Sequence, residues 1–251
     1  MQMNGARALL ESLKAEGVEV VFGYPGGAVL TLYDEVYKMN FPHVLTRHEQ
    51  GAAHAADGYA RASGKVGVAF ATSGPGATNL VTGIATAHMD SVPMVCITGQ
   101  VANPYIGKDS FQEADIVGIT TPITKHNYLV KDVNDIPRVV KEAFYIARTG
   151  RPGVVVIDVA KDVFDTPIDY EYPDAALLHG YTGDVPFDMD AVHAAAEALA
   201  SARQPLLFVG GGVVLSDTAA YVRELIALTG MPSVATLMGI GGVAAETEGY
   251  T

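Results

Sequence analysis

Glu49 is the residue of this sequence best suited to acid–base chemistry. It follows an apolar run, residues 41–45, and lies in a stretch, residues 46–62, where small residues recur at the spacing of one helix face. This pattern predicts a strand-to-helix junction, where the helix dipole stabilises a carboxylate and where α/β proteins gather ligand groups. On this stretch alone, a solvated glutamate in a first helical turn and a functional carboxylate remain equal alternatives.

Two glycine-rich turns, residues 23–27 and 72–76, follow two other predicted strands. Glycine lets a ligand approach the backbone, and free N–H groups at the next helix start can hold an anion or polar ring atoms. Each turn alone is more simply a tight turn, but together with Glu49 at a third strand end they predict a ligand site. Neither turn has the lysine of a P-loop or the spaced glycines of a dinucleotide fingerprint.

Alternating strands and helices carry these motifs. Six such units up to residue 160 predict an α/β fold with a doubly wound, mainly parallel sheet. Asn4 and Asn134 are predicted to cap the first and the last helix of this set. The predicted strands are residues 18–22, 41–45, 66–71, 92–98, 126–130 and 153–159, and the predicted helices are residues 5–16, 28–38, 49–62, 77–89, 111–117 and 135–148.

The composition changes after this sheet. Residues 1–165 form the predicted sheet domain, and residues 166–188, which are acidic and rich in proline and tyrosine, form a predicted linker. Residues 189–251 begin a second α/β domain, and because one unit cannot bury both faces of a sheet, we expect that domain to be truncated. Its predicted elements are a helix over 191–200, a strand over 206–209, the turn Gly210-Gly211-Gly212, a helix capped by Ser216 and a strand over 233–236.

The charge balance excludes one class of partner. The 251 residues include 16 basic and 28 acidic side chains, a net charge of −12, whereas phosphate backbones attract basic proteins. The single Cys96 cannot form an internal disulfide and indicates a reducing compartment. There is no signal-peptide pattern and no apolar run of membrane-spanning length, so we expect a cytoplasmic protein with no nucleic-acid or membrane partner. The histidines lack metal-ligand spacing, so no metal ligand is predicted.

Several motifs together resemble the large subunit of the thiamine-diphosphate-dependent acetohydroxyacid synthase (acetolactate synthase) family. The resemblance runs in register over essentially the whole chain, and its Phe-Gln-Glu stretch is similar to the biosynthetic, flavin-containing enzymes. Ala102 stands where this family usually has proline. The motifs are Gly23-Tyr24-Pro25-Gly26-Gly27-Ala28, Arg47-His48-Glu49-Gln50-Gly51-Ala52, Thr72-Ser73-Gly74-Pro75-Gly76-Ala77-Thr78-Asn79, Thr98-Gly99-Gln100-Val101, Phe111-Gln112-Glu113-Ala114-Asp115, Gly150-Arg151-Pro152-Gly153 and Lys161-Asp162-Val163.

The resemblance implies roles for individual residues. Glu49 would be the carboxylate that hydrogen-bonds N1′ of the aminopyrimidine ring of thiamine diphosphate, with catalytic roles also for Phe111, Gln112 and Lys161. The residues around the pyrimidine would be Tyr24, Pro25, Gly26, Thr72, Pro75, Asn79 and Gln112, and Gly27 and Gly76 would also contact the cofactor. Those on the substrate side would be Gly27, Ala28, Phe111, Gln112 and Lys161. Those contacting FAD would be Arg151, Gly210, Gly211, Gly212, Thr236, Leu237 and Met238.

The resemblance also implies a reaction and its partners. Two pyruvates, or pyruvate and 2-ketobutyrate, would condense to acetohydroxyacids with release of CO₂, in a homodimer or tetramer with a possible small regulatory subunit. In the family, the domain that binds Mg²⁺ carries a Gly-Asp-Gly motif with a downstream asparagine ligand. This sequence lacks that motif, because Gly183-Asp184 is followed by Val185. We therefore expect this chain to be the N-terminal part of such a subunit, without the diphosphate- and Mg²⁺-binding domain, and inactive alone.

Two other functions are weighed against this one. The first is another carboligase, oxidase or decarboxylase that uses thiamine diphosphate. The second is a non-catalytic binding module on the same fold, against which the presence of Glu49 argues.

A stripe of small and apolar residues predicts self-association. We expect the helices that contain Glu49 and Ala77 to pack against a second subunit, because such faces are poorly suited to water. The alternative is that both faces are covered within the same chain. The stripe consists of Ala52, Ala53, Ala56 and Ala60 on one helix and Ala77, Leu80, Val81, Ile84 and Ala85 on the other.

Overall fold

A computed structural model describes residues 2–183, 186–247 and 249–250. The chain divides into two compact units, residues 1–184 and 185–251. The strands of the first unit are β1 (Gln2–Asn4), β2 (Val21–Gly23), β3 (His43–Leu45), β4 (Gly67–Ala71), β5 (Met94–Gln100), β6 (His126–Val130), β7 (Val154–Ala160) and β8 (Pro167–Asp169). Its α-helices are α1 (Gly5–Ala15), α2 (Leu30–Lys38), α3 (Glu49–Ser63), α4 (Pro75–Asn79), α5 (Val81–Met89), α6 (Ile116–Thr120), α7 (Ile136–Arg148) and α8 (Lys161–Asp165).

Six strands form one parallel sheet in the order β3-β2-β4-β5-β7-β6. The central strands β4, β5 and β7 are buried along their whole length, as expected for continuous apolar runs in parallel sheets covered on both faces. Side chains alternate between the two faces, so Phe70 joins a core cluster with Leu9 and Val140, whereas Ala71 joins a second cluster with Ile84. The predicted α/β fold with a parallel sheet is confirmed.

The start of the first helix agrees with the sequence, and the start of the last helix of the sheet does not. The Asn4 side chain accepts a hydrogen bond from the backbone N–H of Arg7 at 2.8 Å and caps α1 as predicted. Asn134 caps no helix: it lies in a 3₁₀ turn, and its backbone N–H donates to Asp132. The helix α7 begins two residues later, because Pro137 fits the first helical turn, where no backbone donor is needed.

The predicted helix over residues 111–117 is wrong. The short helix α6 begins at Ile116 instead, with the Asp115 side chain accepting from the N–H of Gly118 at 2.9 Å. The preceding residues form a loop, because both carboxylate oxygens of Glu113 accept hydrogen bonds from upstream backbone N–H groups, those of Gly107 and Ser110. These bonds draw the backbone into turns that compete with the helix.

The predicted linker begins as part of the first unit. Its residues Pro167–Asp169 form β8, which pairs antiparallel with β1. The hydroxyl of Tyr172 donates to Glu16 at 2.8 Å, and Lys125 donates to the hydroxyl of Tyr181 at 3.1 Å. The first part of the predicted linker over 166–188 thus contacts the first unit, which the sequence did not indicate because isolated tyrosine contacts leave no periodic pattern.

The alanine stripe of α3 is buried within the chain. Ala52, Ala53 and Ala56 have no exposed surface. A Cβ atom at Gly67 of β4 would lie 2.1 Å from the carbonyl oxygen of Ala56, and one at Gly83 of α5 would lie 2.3 Å from Cβ of Ala53. Small residues therefore let α3 approach the sheet and α5 within one chain, so Ala52, Ala53 and Ala56 are covered by their own chain. Val81 and Ala85 of the stripe stay partly exposed, and self-association through them stays a prediction.

The second unit contains one parallel strand pair. Its core cluster includes Val209, Ile226 and Val243. Ser216 ends a helix instead of capping the next, because a helix starts directly in the glycine turn and the Ser216 hydroxyl donates back to Gly212 at 2.7 Å. In the described ranges, no helix has the length and apolar character that crossing a bilayer requires. The elements are α9 (Met189–Ser201), β9 (Leu207–Val209), α10 (Gly211–Leu215), α11 (Ala219–Thr229) and β10 (Ser233–Ala235).

Candidate functional site

Three segments that follow strands meet at one edge of the sheet. Strand β2 lies between β3 and β4 with all three parallel, so their carboxyl ends lie side by side. The backbone N–H of Ala28 donates to Oγ1 of Thr72 at 3.1 Å and joins the two glycine turns. A Cβ atom at Gly76 would lie 3.2 Å from Oε1 of Glu49. The structure therefore brings both glycine turns and Glu49 together, as the sequence predicts.

Glu49 is a buried carboxylate with one fixed hydrogen bond. It is the first residue of α3, and the ring Nδ1 of His48, the capping residue, accepts from the N–H of Gln50. Only 7% of Glu49 is exposed, and Nδ2 of Asn79 donates to its Oε2 at 3.0 Å. Among the described residues no other hydrogen-bond donor to Glu49 is found, so Oε1 can bind a ligand. The helix N-terminus stabilises the charge of this carboxylate.

Glycine is required at two positions of the turns. A Cβ atom at Gly26 would lie 2.4 Å from Cγ2 of Thr72, which leaves no room for a side chain. Gly74 has a φ of 58° and a ψ of −118°, and a Cβ atom there would lie 2.5 Å from the carbonyl oxygen of Gln112. The backbone of Gln112 thus lies directly against the second glycine turn.

A cavity of about 590 Å³ opens beside these turns. Phe111 is 88% exposed at this cavity, and an apolar side chain in such a position is available to a ligand. All five residues that the resemblance assigns to the substrate side line the cavity, while their individual roles stay predictions. The lining residues are Gly27, Ala28, Ser73, Val101, Ala102, Tyr105, Ser110, Phe111, Gln112, Lys161, Asp162 and Asp165.

Lys161 supplies a positive charge to this cavity. It is the first residue of α8 and is exposed. The two acidic residues that follow it are engaged elsewhere: Asp162 accepts from the N–H of Asn103 at 3.0 Å, and Asp165 accepts from the hydroxyl of Thr31 at 2.6 Å. Within the part of the chain that the structure describes, Lys161 forms no ion pair, so its ammonium group is available to an anion.

A neutral tyrosine, Tyr33, lies near Glu49. Burial and the negative charge of Glu49 raise the pKa of Tyr33 above its ordinary range, so this hydroxyl stays protonated. Burial lowers the pKa of His43, whose ring packs edge-on against Tyr33 with centroids 5.1 Å apart. A neutral, partly buried setting strengthens hydrogen bonds to a carboxylate. No cluster of three or more potential metal-binding side chains occurs in the described residues.

Arg151 lies away from Glu49. It precedes β7, whereas Lys161 follows it, and a strand of seven residues is about 23 Å long. The Nε of Arg151 donates to the hydroxyl of Ser91 at 2.7 Å at that opposite edge of the sheet. The structure therefore does not bring Arg151 to the Glu49 site. Tyr24 and Pro25 remain in the first glycine turn, and Tyr24 is partly exposed.

The glycines of the second unit meet the segment predicted with them. A Cβ atom at Gly211 would lie 2.9 Å from Cβ of Met238. The N–H of Thr236 donates to the carbonyl of Val209 at 2.9 Å, so the segment of Thr236, Leu237 and Met238 starts beside Gly210 and Gly212. These residues lie together at the carboxyl ends of β9 and β10, the usual position of a ligand site in such sheets.

One buried acid, Asp158, was not predicted from the sequence. Asp158 is 1% exposed, and its carboxylate accepts from the Thr98 hydroxyl at 2.6 Å and from Nε2 of Gln100 at 2.9 Å. Burial raises its pKa to about 7, although the two hydrogen bonds lower it. The available signal was a single aspartate within the apolar run 153–159, since a charge in a buried strand requires partners.

Comparison with known proteins assigns the two units to one family. Residues 3–119 match the family model described as thiamine pyrophosphate enzyme, N-terminal TPP binding domain, and residues 192–251 match the model of the thiamine pyrophosphate enzyme central domain. These two matched ranges follow each other in the order that their descriptions give.

Individual relatives agree with the family models. The acetolactate synthase of Mycobacterium leprae (strain TN) is 54% identical over 241 residues, which are 96% of this chain and 39% of that protein. The acetolactate synthase of Arthrospira platensis is 50% identical over 246 residues, 96% of this chain and 42% of that protein. The acetolactate synthase large subunit of Corynebacterium glutamicum is 51% identical over 241 residues, 96% of this chain and 38% of that protein.

The chain spans about two fifths of the length of these curated relatives. The Glu49 site falls inside the range that matches the TPP binding domain. On the two family models and the identity to these relatives, the chain belongs to the thiamine pyrophosphate enzymes.

Proposed function

We propose that this chain supplies the pyrimidine-binding part of the active site of an acetolactate synthase. The observation that carries the proposal is the buried Glu49, whose Oε2 is held by Asn79 while its Oε1 borders Gly76. The names of the relatives support the reaction, which is the condensation of two pyruvates, or of pyruvate and 2-ketobutyrate, with release of CO₂. The product would enter branched-chain amino-acid biosynthesis.

The residues at the sheet edge suit thiamine diphosphate. A flat ring needs close approach to the backbone, and Gly26 and Gly76 let both turns pack against Thr72 at the edge where Glu49 lies, since a Cβ atom would be 2.4 Å and 2.7 Å from Thr72 Cγ2. Glu49 would hold a proton at a ring nitrogen, and Asn79 fixes the carboxylate in one orientation. When bound, thiamine diphosphate supplies the carbanion chemistry, and the chain supplies orientation and electrostatics.

The adjacent cavity suits a small 2-oxo acid. Lys161 offers a cation to the substrate carboxylate, because among the described residues its ammonium group is in no ion pair, while Asp162 and Asp165 at the same cavity accept from Asn103 and Thr31. Ala28 and Phe111 offer apolar surface to the methyl or ethyl group of pyruvate or 2-ketobutyrate. Gln112, whose backbone lies against Gly74, would stand between the cofactor and this substrate.

Further cofactors and partners are part of the proposal. FAD would use the second-unit residues Gly210, Gly211, Gly212, Thr236, Leu237 and Met238, and the meeting of Gly211 with Met238 supports their grouping. A role of Arg151 toward FAD rests on the resemblance alone. Mg²⁺ would be held by residues outside this sequence. The large-subunit names of the relatives support a homodimer or tetramer with a smaller regulatory subunit, and the free, buried Cys96 supports a cytoplasmic location.

Product analysis of the full-length protein containing this sequence tests the reaction. With pyruvate, thiamine diphosphate and Mg²⁺ we expect acetolactate and CO₂, whereas acetaldehyde or acetate as the main product would indicate a decarboxylase or an oxidase instead.

Glu49→Gln should lower turnover roughly 10²–10⁴-fold with the fold intact, because it removes a positioned acid–base group. Glu142→Gln is the matched control, since Glu142 is also buried but contacts Tyr128 of β6 and Arg138 of α7. Near-normal turnover of the Glu49 variant would remove Glu49 from the mechanism.

A further inference from the structure

One irregular segment forms half of the cavity wall. This segment, residues 101–115, is called the cavity loop here, and beyond a single 3₁₀ turn it has no regular structure. Asp109 and Gln112 have φ values of 54° and 58°, a conformation that costs non-glycine residues about 1 kcal/mol or more. Such a loop keeps its shape only if other groups hold it. Its residues at the cavity are Val101, Ala102, Tyr105, Ser110, Phe111 and Gln112.

Gln100 binds both ends of the cavity loop. It is the last residue of β5, and its Nε2 donates to the carbonyl of Ala114 at 2.8 Å, while its Oε1 accepts from the N–H of Val101 at 2.8 Å. The same Nε2 donates to Oδ2 of Asp158 at 2.9 Å. If the amide were reversed, its oxygen would face two acceptors and its nitrogen would face a donor. The three contacts therefore allow one orientation of the Gln100 amide.

Asp158 sets that orientation from beneath the loop. It is the buried acceptor behind Gln100, and its other oxygen, Oδ1, accepts from the hydroxyl of Thr98. A hydroxyl can donate or accept, so a proton on Oδ1 of Asp158 would be donated to Thr98 while Oδ2 still accepts from Gln100. The acceptor at Oδ2 is thus present in both protonation states of Asp158.

We propose that Asp158 and Gln100 are positioning residues for the cavity. Through Ala114 they hold the part of the cavity loop in which Gln112 lies against Gly74 and Phe111 borders the cavity. Neither residue lines the cavity, so both act through the loop. The anchoring rests on these contacts alone, and only the consequence for pyruvate rests on the proposed function.

Amide hydrogen exchange of the cavity loop in this chain tests the anchoring. Asp158→Leu and Gln100→Leu remove the acceptor and the donor, and each should speed exchange over residues 101–115 at least tenfold relative to α1. Asp158→Asn should restore slow exchange, because its Oδ1 can accept from Gln100 while its amide donates to Thr98. The control Glu142→Leu removes an equally buried carboxylate that does not touch the loop and should leave loop exchange unchanged.

Two results would overturn the anchoring. One is loop exchange that stays at the wild-type rate in Gln100→Leu, which keeps the proposal open to test even if Asp158→Leu fails to fold. The other is equally fast exchange in Asp158→Asn and Asp158→Leu, because a general loss of stability and not the acceptor would then be the cause.

The KM for pyruvate of the same variants of the full-length protein tests the effect on the cavity. We expect a rise of at least tenfold in Gln100→Leu, with kcat changed less and Asp158→Asn close to wild type. Faster loop exchange without any change in KM would overturn the positioning of substrate. Acetolactate formation by the wild type is measured separately, so failure of the proposed reaction is distinguished from failure of the anchor.

Discussion

At the scale of single residues, the site depends on glycines, which lack side chains, as much as on the side chains of Glu49 and Asn79. Because Gly76 has no side chain, no atom of it covers Oε1 of Glu49, whereas Asn79 donates a hydrogen bond to Oε2. Gly26 of the first turn likewise lies close to Thr72 of the second turn, where a Cβ atom would be 2.4 Å from Cγ2 of Thr72. One carboxylate oxygen is thus structural and the other is available to a ligand. A methyl group at either glycine would collide with Thr72, and at Gly76 it would also press on Oε1 of Glu49, the oxygen that we assign to the cofactor.

Gly76→Ala should weaken binding of thiamine diphosphate to the full-length protein by at least about tenfold, since its Cβ would lie 3.2 Å from Glu49 Oε1 and 2.7 Å from Thr72 Cγ2. Calorimetric titration measures the change. Gly58→Ala is the control, because a Cβ atom at Gly58 meets no atom within 4 Å and alanine in a helix stabilises by roughly 0.5–1 kcal/mol. Unchanged affinity in Gly76→Ala would show that the ligand does not approach this glycine.

Asp158 should make the stability of the first unit depend on pH. Its pKa in the folded chain is raised from 3.8 to about 7, so between these values the folded state binds more protons than the unfolded state. Its contribution is fully present below about pH 4 and is lost as pH rises to about 7. Relative to Asp158→Asn, the wild type should lose about 1.4 kcal/mol per pH unit in that window.

Urea unfolding of both proteins from pH 4 to pH 8 measures this slope. The comparison with Asp158→Asn isolates the one group, because every other titratable side chain is the same in the two proteins. Parallel stability curves would mean that the folded pKa of Asp158 is close to that of the unfolded chain.

At the scale of elements, small residues decide how closely α3 lies on the sheet. Its alanine face meets the backbone of β4 at Gly67 and the backbone of α5 at Gly83. This contact places the first residue of α3, Glu49, beside Gly76. The position of α3 therefore determines the geometry of the site. Larger side chains on its alanine face would push the helix outward and move the Glu49 carboxylate away from Gly76.

Ala56→Arg should destabilise this chain by about 3 kcal/mol or more, because Ala56 is fully buried and the site has no room for a long charged side chain. Thermal unfolding measures the loss. Ala62→Arg, at an exposed position of the same helix, is the control and should stay within about 0.5 kcal/mol of the wild type. A folded, equally stable Ala56→Arg protein would contradict the packing described here.

The elements differ in how far the sequence predicted them. Strands β4, β5 and β7 were predictable because burial on both faces requires continuous apolar runs. The burial of Ala56 within its own chain was not predicted. An apolar helix face indicates that something covers it, but the sequence does not show whether the same chain or a second subunit does so. The loop at Glu113 was missed because its shape depends on hydrogen bonds to Gly107 and Ser110 that no periodicity records.

The candidate site was predictable to a similar extent. Glu49 and the two glycine turns were found from their places after strands, and parallel order brings those places together. The neutral neighbour Tyr33, its contact with His43 and the anchor at Asp158 were missed, because each depends on which side chains face each other across separate elements.

At the scale of the whole molecule, tyrosines fasten the segment that leaves the sheet. Glu16, buried at the end of α1, accepts from Tyr172 at 2.8 Å and pairs with Lys141 and Arg148 of α7, both at 3.0 Å. The ammonium group of Lys141 also lies 5.2 Å from the centre of the Tyr172 ring. Three parts of the first unit thus share one buried carboxylate.

Tyr172→Phe should lower the free energy of unfolding by about 1–2 kcal/mol, because a buried carboxylate loses one donor while the ring remains. Urea unfolding followed by circular dichroism measures the change. Tyr37→Phe is the control, since Tyr37 is 85% exposed and should have no measurable effect. A loss equal to that of the control would mean that the two lysine and arginine partners satisfy Glu16 by themselves.

The pairing of β1 with β8 has a consequence for the order in which the chain can fold during synthesis. Gln2, Met3 and Asn4 leave the ribosome before the strands of the parallel sheet, yet their partners Asp169, Ile168 and Pro167 leave it after all of them. At ordinary translation rates that delay is on the order of ten seconds. The start of α1 waits as well, since a Cβ atom at its first residue, Gly5, would lie 2.2 Å from the carbonyl of Val163 in α8. Helix α1 packs against α2 and α7 before α8 is made, but its first turn stays uncovered until then, and nascent chains that stop before that point should expose it.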